Sequence, residues 1–247
     1  MKTIKAIFFD LDGTLRFNNP PGRELFADEA ARLGIVTTPD DRLRASRWEH
    51  YYFATSPEIL ADVEAFPESK DFWVNYSCRL LKTLGATDEQ AEHLAPVLEA
   101  YMEQHNVRDR QDMLMPGVCE TLQVLKETGV ILAVVSNRGE PYWDYLEKLG
   151  LAEYFNFSLC AGEVKSWKPD RAIFDHALKM AGVQAEETIY VGDNYYADVL
   201  GARNAGLQPV LIDADGVFEE PGCPVVCSHQ ELLLLLQKGD AWVEKQG

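Results

Sequence analysis

Ile4-Lys5-Ala6-Ile7-Phe8-Phe9-Asp10-Leu11-Asp12-Gly13-Thr14-Leu15 is the stretch from which the rest of the chain is read. A short apolar run that ends in a carboxylate and a glycine turn is the pattern of a buried parallel strand delivering residues to its carboxyl end. Residues i and i+2 of an extended chain point the same way, so Asp10 and Asp12 can face one pocket. Gly13 lets the backbone turn sharply there, and Thr14 offers a hydroxyl and an amide.

Further apolar runs at Val130–Val135, Tyr154–Leu159, Thr188–Val191 and Pro209–Ile212 read as buried strands. Helical patterns separate them at Gly117–Thr128, Pro141–Leu149, Asp170–Ala181 and Ala197–Ala205. Strands alternating with helices at this spacing imply an α/β fold: a Rossmann-like parallel sheet with helices on both faces and ligands at the strand carboxyl ends. Between the first strand and the next lies an insertion that reads as helix after helix: Glu24–Leu33, Asp40–Phe53, Pro57–Ala65, Lys70–Leu84 and Asp88–Gln104. The expected organisation is therefore a core of residues 1–16 and 113–247 with an all-helical domain at 17–112. The polar end from Lys238 to Gly247 is expected to fray.

With 247 residues, 47% of them hydrophobic, the chain can bury a large core without disulfide staples. Its net charge of -17 disfavours nucleic acid and anionic membrane as partners. The odd, scattered set of five cysteines suits reduced thiols, and Cys223 and Cys227 lack the second Cys/His pair that a zinc site needs. No signal peptide is read at the start, and the pentaleucine run Leu232–Leu236 falls far short of a membrane span. The expectation is a cytoplasmic protein, monomer or homodimer.

Three more strand ends carry chemistry. Ser136 and Asn137 follow Val134-Val135 and present a hydroxyl and backbone amides to an anion. Lys168-Pro169-Asp170 sets a lysine just ahead of a helix, where it can balance phosphate charge, with Lys165 a competitor three residues earlier. Gly192-Asp193 ends the fourth run with a carboxylate suited to Mg2+, and Asp198 follows five residues on. Each has a plainer explanation by itself, as an Asp-Gly turn, a helix cap or a surface lysine. Four in succession reverse that preference.

In these four motifs the chain resembles the haloacid dehalogenase superfamily, over about Ile4–Leu15 and Pro116–Ile212, and the helical insertion looks like that family's mobile C1-type cap. The resemblance implies a Mg2+-dependent phosphatase acting on a small phosphorylated metabolite, such as phosphoglycolate, a sugar phosphate or a nucleotide. Asp10 would be the nucleophile and Asp12 the general acid and base. Mg2+ would lie on the Asp10 and Asp193 carboxylates and the Asp12 backbone carbonyl, with Asp198 behind them or orienting Lys168. Lys168, Ser136, Thr14 and backbone amides near Asp12, Gly13 and Asn137 would bind the phosphoryl group. Asp12 argues against dehalogenation, since that branch lacks a carboxylate at the position.

The alternatives are a sugar phosphate mutase on the same core and a noncatalytic binding protein. Lys70 and Lys82, the only lysines of the insertion, do not sit in a recognisable phosphonate-hydrolysing context. Closure of the insertion would turn on Arg16–Pro20 and Asp112–Pro116. Arg42, Arg44 and Arg47, beside His50 and Tyr51, could meet a substrate anion, but a solvated face paired with Asp40, Asp41 and Glu49 is the favoured reading. Trp48, Phe53 and Trp73 are expected in the core.

Overall fold

Alternate residues of β1 (Ala6–Phe9) go to opposite cores. Ile7 and Phe9 join one and Ala6 and Phe8 the other, so the strand must be apolar throughout. β4 (Ile131–Ser136) divides likewise, with Leu132 and Val134 against Ala133 and Val135. In β6 (Thr188–Gly192), Ile189 and Val191 oppose Tyr190. The computed structural model describes residues 3–67, 69–108 and 111–238.

With β5 (Phe157–Cys160), β7 (Gln208–Ile212) and β8 (Val225–Val226), these strands make a six-stranded sheet in the order β5-β4-β1-β6-β7-β8, parallel throughout. The chain leaves β1 first towards β4 and later towards β6, so strand order reverses at β1. The carboxyl end of β1 is thus the crevice where ligands bind in such sheets.

Helices α6 (Val118–Glu127), α7 (Trp143–Lys148) and α11 (His229–Lys238) supply Leu122, Leu146 and Leu232 to the first core. Helices α8 (Ala161–Val164), α9 (Arg171–Ala181) and α10 (Leu200–Ala205) supply Ala161, Phe174 and Ala202 to the second. The pentaleucine run resolves into an amphipathic stripe, with Leu232 and Leu236 buried and Leu234 exposed. Helix α9 has a start and stop written in its sequence: Asp170 accepts from the Ala172 amide, and Gly182 closes the other end in a left-handed conformation.

Several boundaries differ from the sequence reading, two of them with a clear local cause. The strand expected from Tyr154 begins at Phe157, after a 3-10 turn over Ala152–Tyr154. The helix expected from Ala197 opens as a π-helical turn, Tyr195–Val199, whose first amides at Tyr196 and Ala197 donate to the Asn194 side chain. The end expected to fray lies, beyond Lys238, outside the described residues.

The chain forms two compact units, Met1–Phe17 with Leu114–Gly247 and Asn18–Met113. Both crossings fall in strands absent from the sequence reading, β2 (Arg16–Asn19) and β3 (Gln111–Leu114), which pair as a two-stranded sheet. The second unit holds α1 (Gly22–Arg32), α2 (Pro39–Phe53), α3 (Pro57–Ala65), α4 (Ser69–Thr83) and α5 (Asp88–Arg108), packed on Phe26, Tyr52, Leu81 and Leu98. A capping box between Thr38 and Asp41 starts α2, and the Ser56 hydroxyl starts α3.

The arginine face of α2 is ion-paired, but not wholly with the expected partners. Arg44 meets Asp41, whereas Arg42 meets Glu24 and Asp28 of α1. Glu49 instead accepts from Tyr76. Trp48 stacks on Tyr52 and Tyr76 in the helical core, while Phe53 and Trp73 stay partly exposed. For Arg42, the reach of a three-methylene stem and the carboxylates of a neighbouring helix, not sequence proximity, choose the partners.

Phe174 is fully buried and meets Tyr190 edge-to-face with ring centroids 5.2 Å apart. Phe174→Ala should lower the unfolding free energy by about 3–5 kcal/mol. Urea denaturation measures it, and a loss under about 1 kcal/mol would show that this core closes over the gap.

Candidate active site

Phe9 pairs with Val134 on one side and Val191 on the other, so the next residues, Asp10, Val135-Ser136 and Gly192-Asp193, emerge at one sheet edge. Asp10 stays in the ladder, its amide donating to the Val191 carbonyl at 2.9 Å. The chain then folds back: the Gly13 amide donates to the Arg16 carbonyl, and the Leu15 and Arg16 amides to that of Leu11. Gly13 has φ +89, and a Cβ there would lie 2.2 Å from Oδ2 of Asp193. A Cβ on Gly192 would meet Oδ2 of Asp198 at the same distance. Both glycines exist because carboxylates occupy the space beside them.

Lys168 is 1% exposed, and its ammonium donates to Oδ1 of Asp10 at 2.7 Å, Oδ1 of Asp198 at 2.7 Å and the Tyr190 hydroxyl at 2.8 Å. Burial opposes its charge, but Asp10 and Asp198 outweigh burial and hold it well above the ordinary lysine range. The Tyr190 hydroxyl in turn donates a hydrogen bond to the Val135 carbonyl at 2.7 Å. Asn137 grips the Lys168 backbone from both sides, accepting from its amide at 2.7 Å and donating to its carbonyl at 3.0 Å. The Asn137 side chain is thereby committed to placing Lys168. Lys165, the competing lysine, is exposed.

Carboxylate oxygens of Asp10, Asp193 and Asp198 lie within 4.8 Å of one another. One ammonium faces three carboxylates. Burial first, and then the neighbouring carboxylates, push Asp10 up to about 7 against the pull of Lys168, and push Asp193 well above its usual range. Hard oxygen donors carrying surplus buried negative charge fit a divalent cation such as Mg2+. The donors differ in readiness. Asp198 spends both oxygens, on Lys168 and on the Asn194 amide, whereas Oδ2 of Asp10 accepts no hydrogen bond from the described residues. Asp193 accepts from the Thr14 hydroxyl at 3.2 Å, so Thr14 faces the acidic cluster. Ser136 closes β4 and is buried at the same edge.

Asp12 lies apart from that cluster, with 43% of its side chain exposed. Arg138 holds it in a fork, Nε to Oδ2 and Nη2 to Oδ1, both at 2.9 Å, and Arg16 adds Nη1 to Oδ1 at 2.8 Å. Loss of water pushes the Asp12 carboxyl up, but Arg138 and then Arg16 win and hold it below the ordinary carboxylate range. Neither arginine was a sequence candidate, although one follows Asn137 and the other closes the first motif. Tyr190 and His229 were missed as well. His229 is buried, and its Nε2–H donates to the Thr14 carbonyl at 2.8 Å, which ties α11 to the first loop. Burial disfavours its charged form and lowers its pKa, against the pull of the Thr14 carbonyl.

Residues 4–206 match the family described as haloacid dehalogenase-like hydrolases. The chain belongs to this family. It is an enzyme of the hydrolase class, and its parallel sheet is the family's α/β core. It is similar to a glyceraldehyde 3-phosphate phosphatase of Methanopyrus kandleri, 31% identical over 211 residues covering 85% of this chain and 84% of that one. With phosphoglycolate phosphatase 1 of Pseudomonas aeruginosa it shares 34% over 215 residues, 83% of this chain and 67% of the other. A solved 2-haloacid dehalogenase from Pseudomonas syringae pv. Tomato superposes with a TM-score of 0.55 at 26% identity, covering 96% and 99% of the two chains. Helix α11 and His229, which buttress the first loop, lie beyond the residues that the family model matches.

Replacing Lys168 by methionine leaves Asp10 and Asp198 facing each other uncompensated. Lys168→Met should cost about 3–5 kcal/mol in urea unfolding with chelator present, as expected when one partner of a buried ion pair is removed. An unchanged midpoint would show that the ammonium is not needed to hold the cluster.

Proposed function

We propose that the protein is a Mg2+-dependent phosphatase that hydrolyses a small phosphate monoester through an aspartyl phosphate on Asp10. The observation that carries this reading is the buried contact of Asp10 with Lys168 beside the Asp193 carboxylate, at the strand end where an α/β sheet binds its ligands. The related phosphatases act, by their names, on glyceraldehyde 3-phosphate and phosphoglycolate, which supports a small phosphorylated metabolite as substrate. The five free cysteines suit a reducing compartment, and the proposed setting is the cytoplasm. Among the described residues no helix is long and apolar enough to cross a membrane.

In the first half of the cycle a carboxylate oxygen of Asp10 attacks phosphorus in line. The ester P–O bond breaks, and Asp12 gives its proton to the departing oxygen. In the second half, water attacks the same phosphorus, Asp12 takes the water proton, and the P–O bond to Asp10 breaks with its electron pair returning to the carboxylate. The Ser136 hydroxyl and the backbone amides of Asp12 and Asn137 hold the phosphoryl oxygens as charge redistributes, while the Lys168 ammonium, whose protons go to Asp10, Asp198 and Tyr190, balances their charge from beside Asp10. Thr14 supports from behind, by orienting Asp193. Asp10, Asp193 and the main-chain carbonyl of Asp12 would hold Mg2+. Bound there, the cation neutralises the carboxylates and the phosphate, so that anionic ester and anionic nucleophile can meet.

A panel of small phosphate esters, assayed for phosphate release with and without Mg2+, tests the reading. Wild type should release phosphate only with the metal, and Asp10→Asn should lose about a thousandfold or more while keeping its fold. A normal rate in Asp10→Asn would remove it as nucleophile. Asp193→Asn should shift the Mg2+ titration to higher concentration, by about tenfold or more if one carboxylate ligand is lost. A superimposable titration would take Asp193 out of the metal site.

A further inference from the structure

The two arginines on Asp12 leave a specific pattern of unused acceptor sites. A carboxylate offers two positions on each oxygen. On Asp12, Oδ1 receives Nη1 of Arg16 and Nη2 of Arg138 and is filled. Among the described residues Oδ2 receives only Nε of Arg138, which leaves one position open there.

The Arg138 fork is itself built in. Its guanidinium lies 4.5 Å from the Tyr145 ring centre and 5.7 Å from that of Tyr142. Tyr142 cannot swing, because its hydroxyl is shared between the Val134 and Leu159 carbonyls at 3.0 and 3.1 Å. The loop backbone is fixed too: the Arg138 carbonyl accepts from the Gly162 amide, and the Gly139 carbonyl sits where a side chain on Gly162 would be, 1.7 Å from its Cβ. A surface arginine would have none of these restraints.

We propose that Arg138 is a positioning residue for Asp12, fixing its carboxylate so that the open site on Oδ2 takes the proton of the water that attacks the aspartyl phosphate. The inference rests on the phosphatase reading of Asp10 and Asp12. Within it, Arg138 matters most in the second half-reaction, when Asp12 must be an oriented anion. The water oxygen bonds to phosphorus, the bond from phosphorus to Asp10 breaks, and the proton goes to Oδ2, from which it serves the next leaving group.

Stopped-flow hydrolysis of p-nitrophenyl phosphate with Mg2+ separates the halves, because nitrophenolate leaves without a proton. Arg138→Ala should keep a rapid burst of about one nitrophenolate per enzyme while its steady rate falls about tenfold to a hundredfold, the loss expected for a charge-assisted fork. Methylguanidine should restore the steady rate and methylammonium should not. Arg138→Lys, which keeps the charge but not the fork, should stay slow. An unchanged steady rate in Arg138→Ala, or equal loss of burst and steady rate in both variants without guanidine rescue, overturns the proposal. Failure of the underlying reading looks different: wild type then releases no nitrophenolate, or Asp10→Asn releases it normally, and both ideas fall together.

Discussion

Everything at the carboxyl edge of the sheet depends on one buried ammonium. A lysine with 1% exposure is tolerated only if each of its protons finds a partner, because an unpaired buried charge costs several kcal/mol. The partners of Lys168 come from three different places: Asp10 after β1, Tyr190 within β6 and Asp198 in the π-helical turn. Satisfying the ammonium therefore fixes where β1 ends relative to β6, and how far the turn after β6 must be unwound to bring Asp198 inward. Asn137 completes the constraint by holding the lysine backbone from the end of β4. A slip of one residue in any of these strands would send Asp10 or Tyr190 to the wrong face and leave the charge unpaired.

The same constraint explains why so much of the core was legible. Strands buried on both faces must be continuously apolar, and polar residues can then appear only at their ends, so β1, β4 and β6 announce both themselves and the residues they deliver. Asp10, Lys168, Asp193 and Asp198 stood out because each breaks an apolar run or follows one. Tyr190 was hidden for the converse reason. Its ring belongs to the apolar run, and only the structure shows that its hydroxyl bridges Lys168 and the Val135 carbonyl.

Partners distant in the chain were less readable still. His229 meets Thr14 across 215 positions, and Arg138 meets Asp12 across 126, contacts that no local spacing encodes. In the helical unit the helices were visible from their caps and periodicity, but their neighbours were not. Arg42 turned to Glu24 and Asp28 because α1 lies beside α2, a fact of packing. Strands β2, β3 and β8 were missed because runs of two to four residues, partly exposed, carry too few side chains to show a period.

Asp10 and Asp12, two residues apart on one strand end, have been given opposite surroundings. Asp10 is buried among carboxylates and its pKa rises; Asp12 is half-open to water, gripped by two guanidinium groups, and its pKa falls. Environments that separate two neighbouring acids divide labour between them. In the proposed mechanism a divalent cation would relieve the surplus of negative charge around Asp10, which would couple metal binding to ionisation of that carboxylate. For Asp12 the arginine grip favours the anion, the form that the proposed mechanism needs for taking a proton from water, and makes the protonated form harder to reach. An acid–base residue that must work in both directions in each cycle is thus biased towards the second half, the half in which a stalled covalent intermediate would otherwise occupy the only nucleophile the proposed mechanism has.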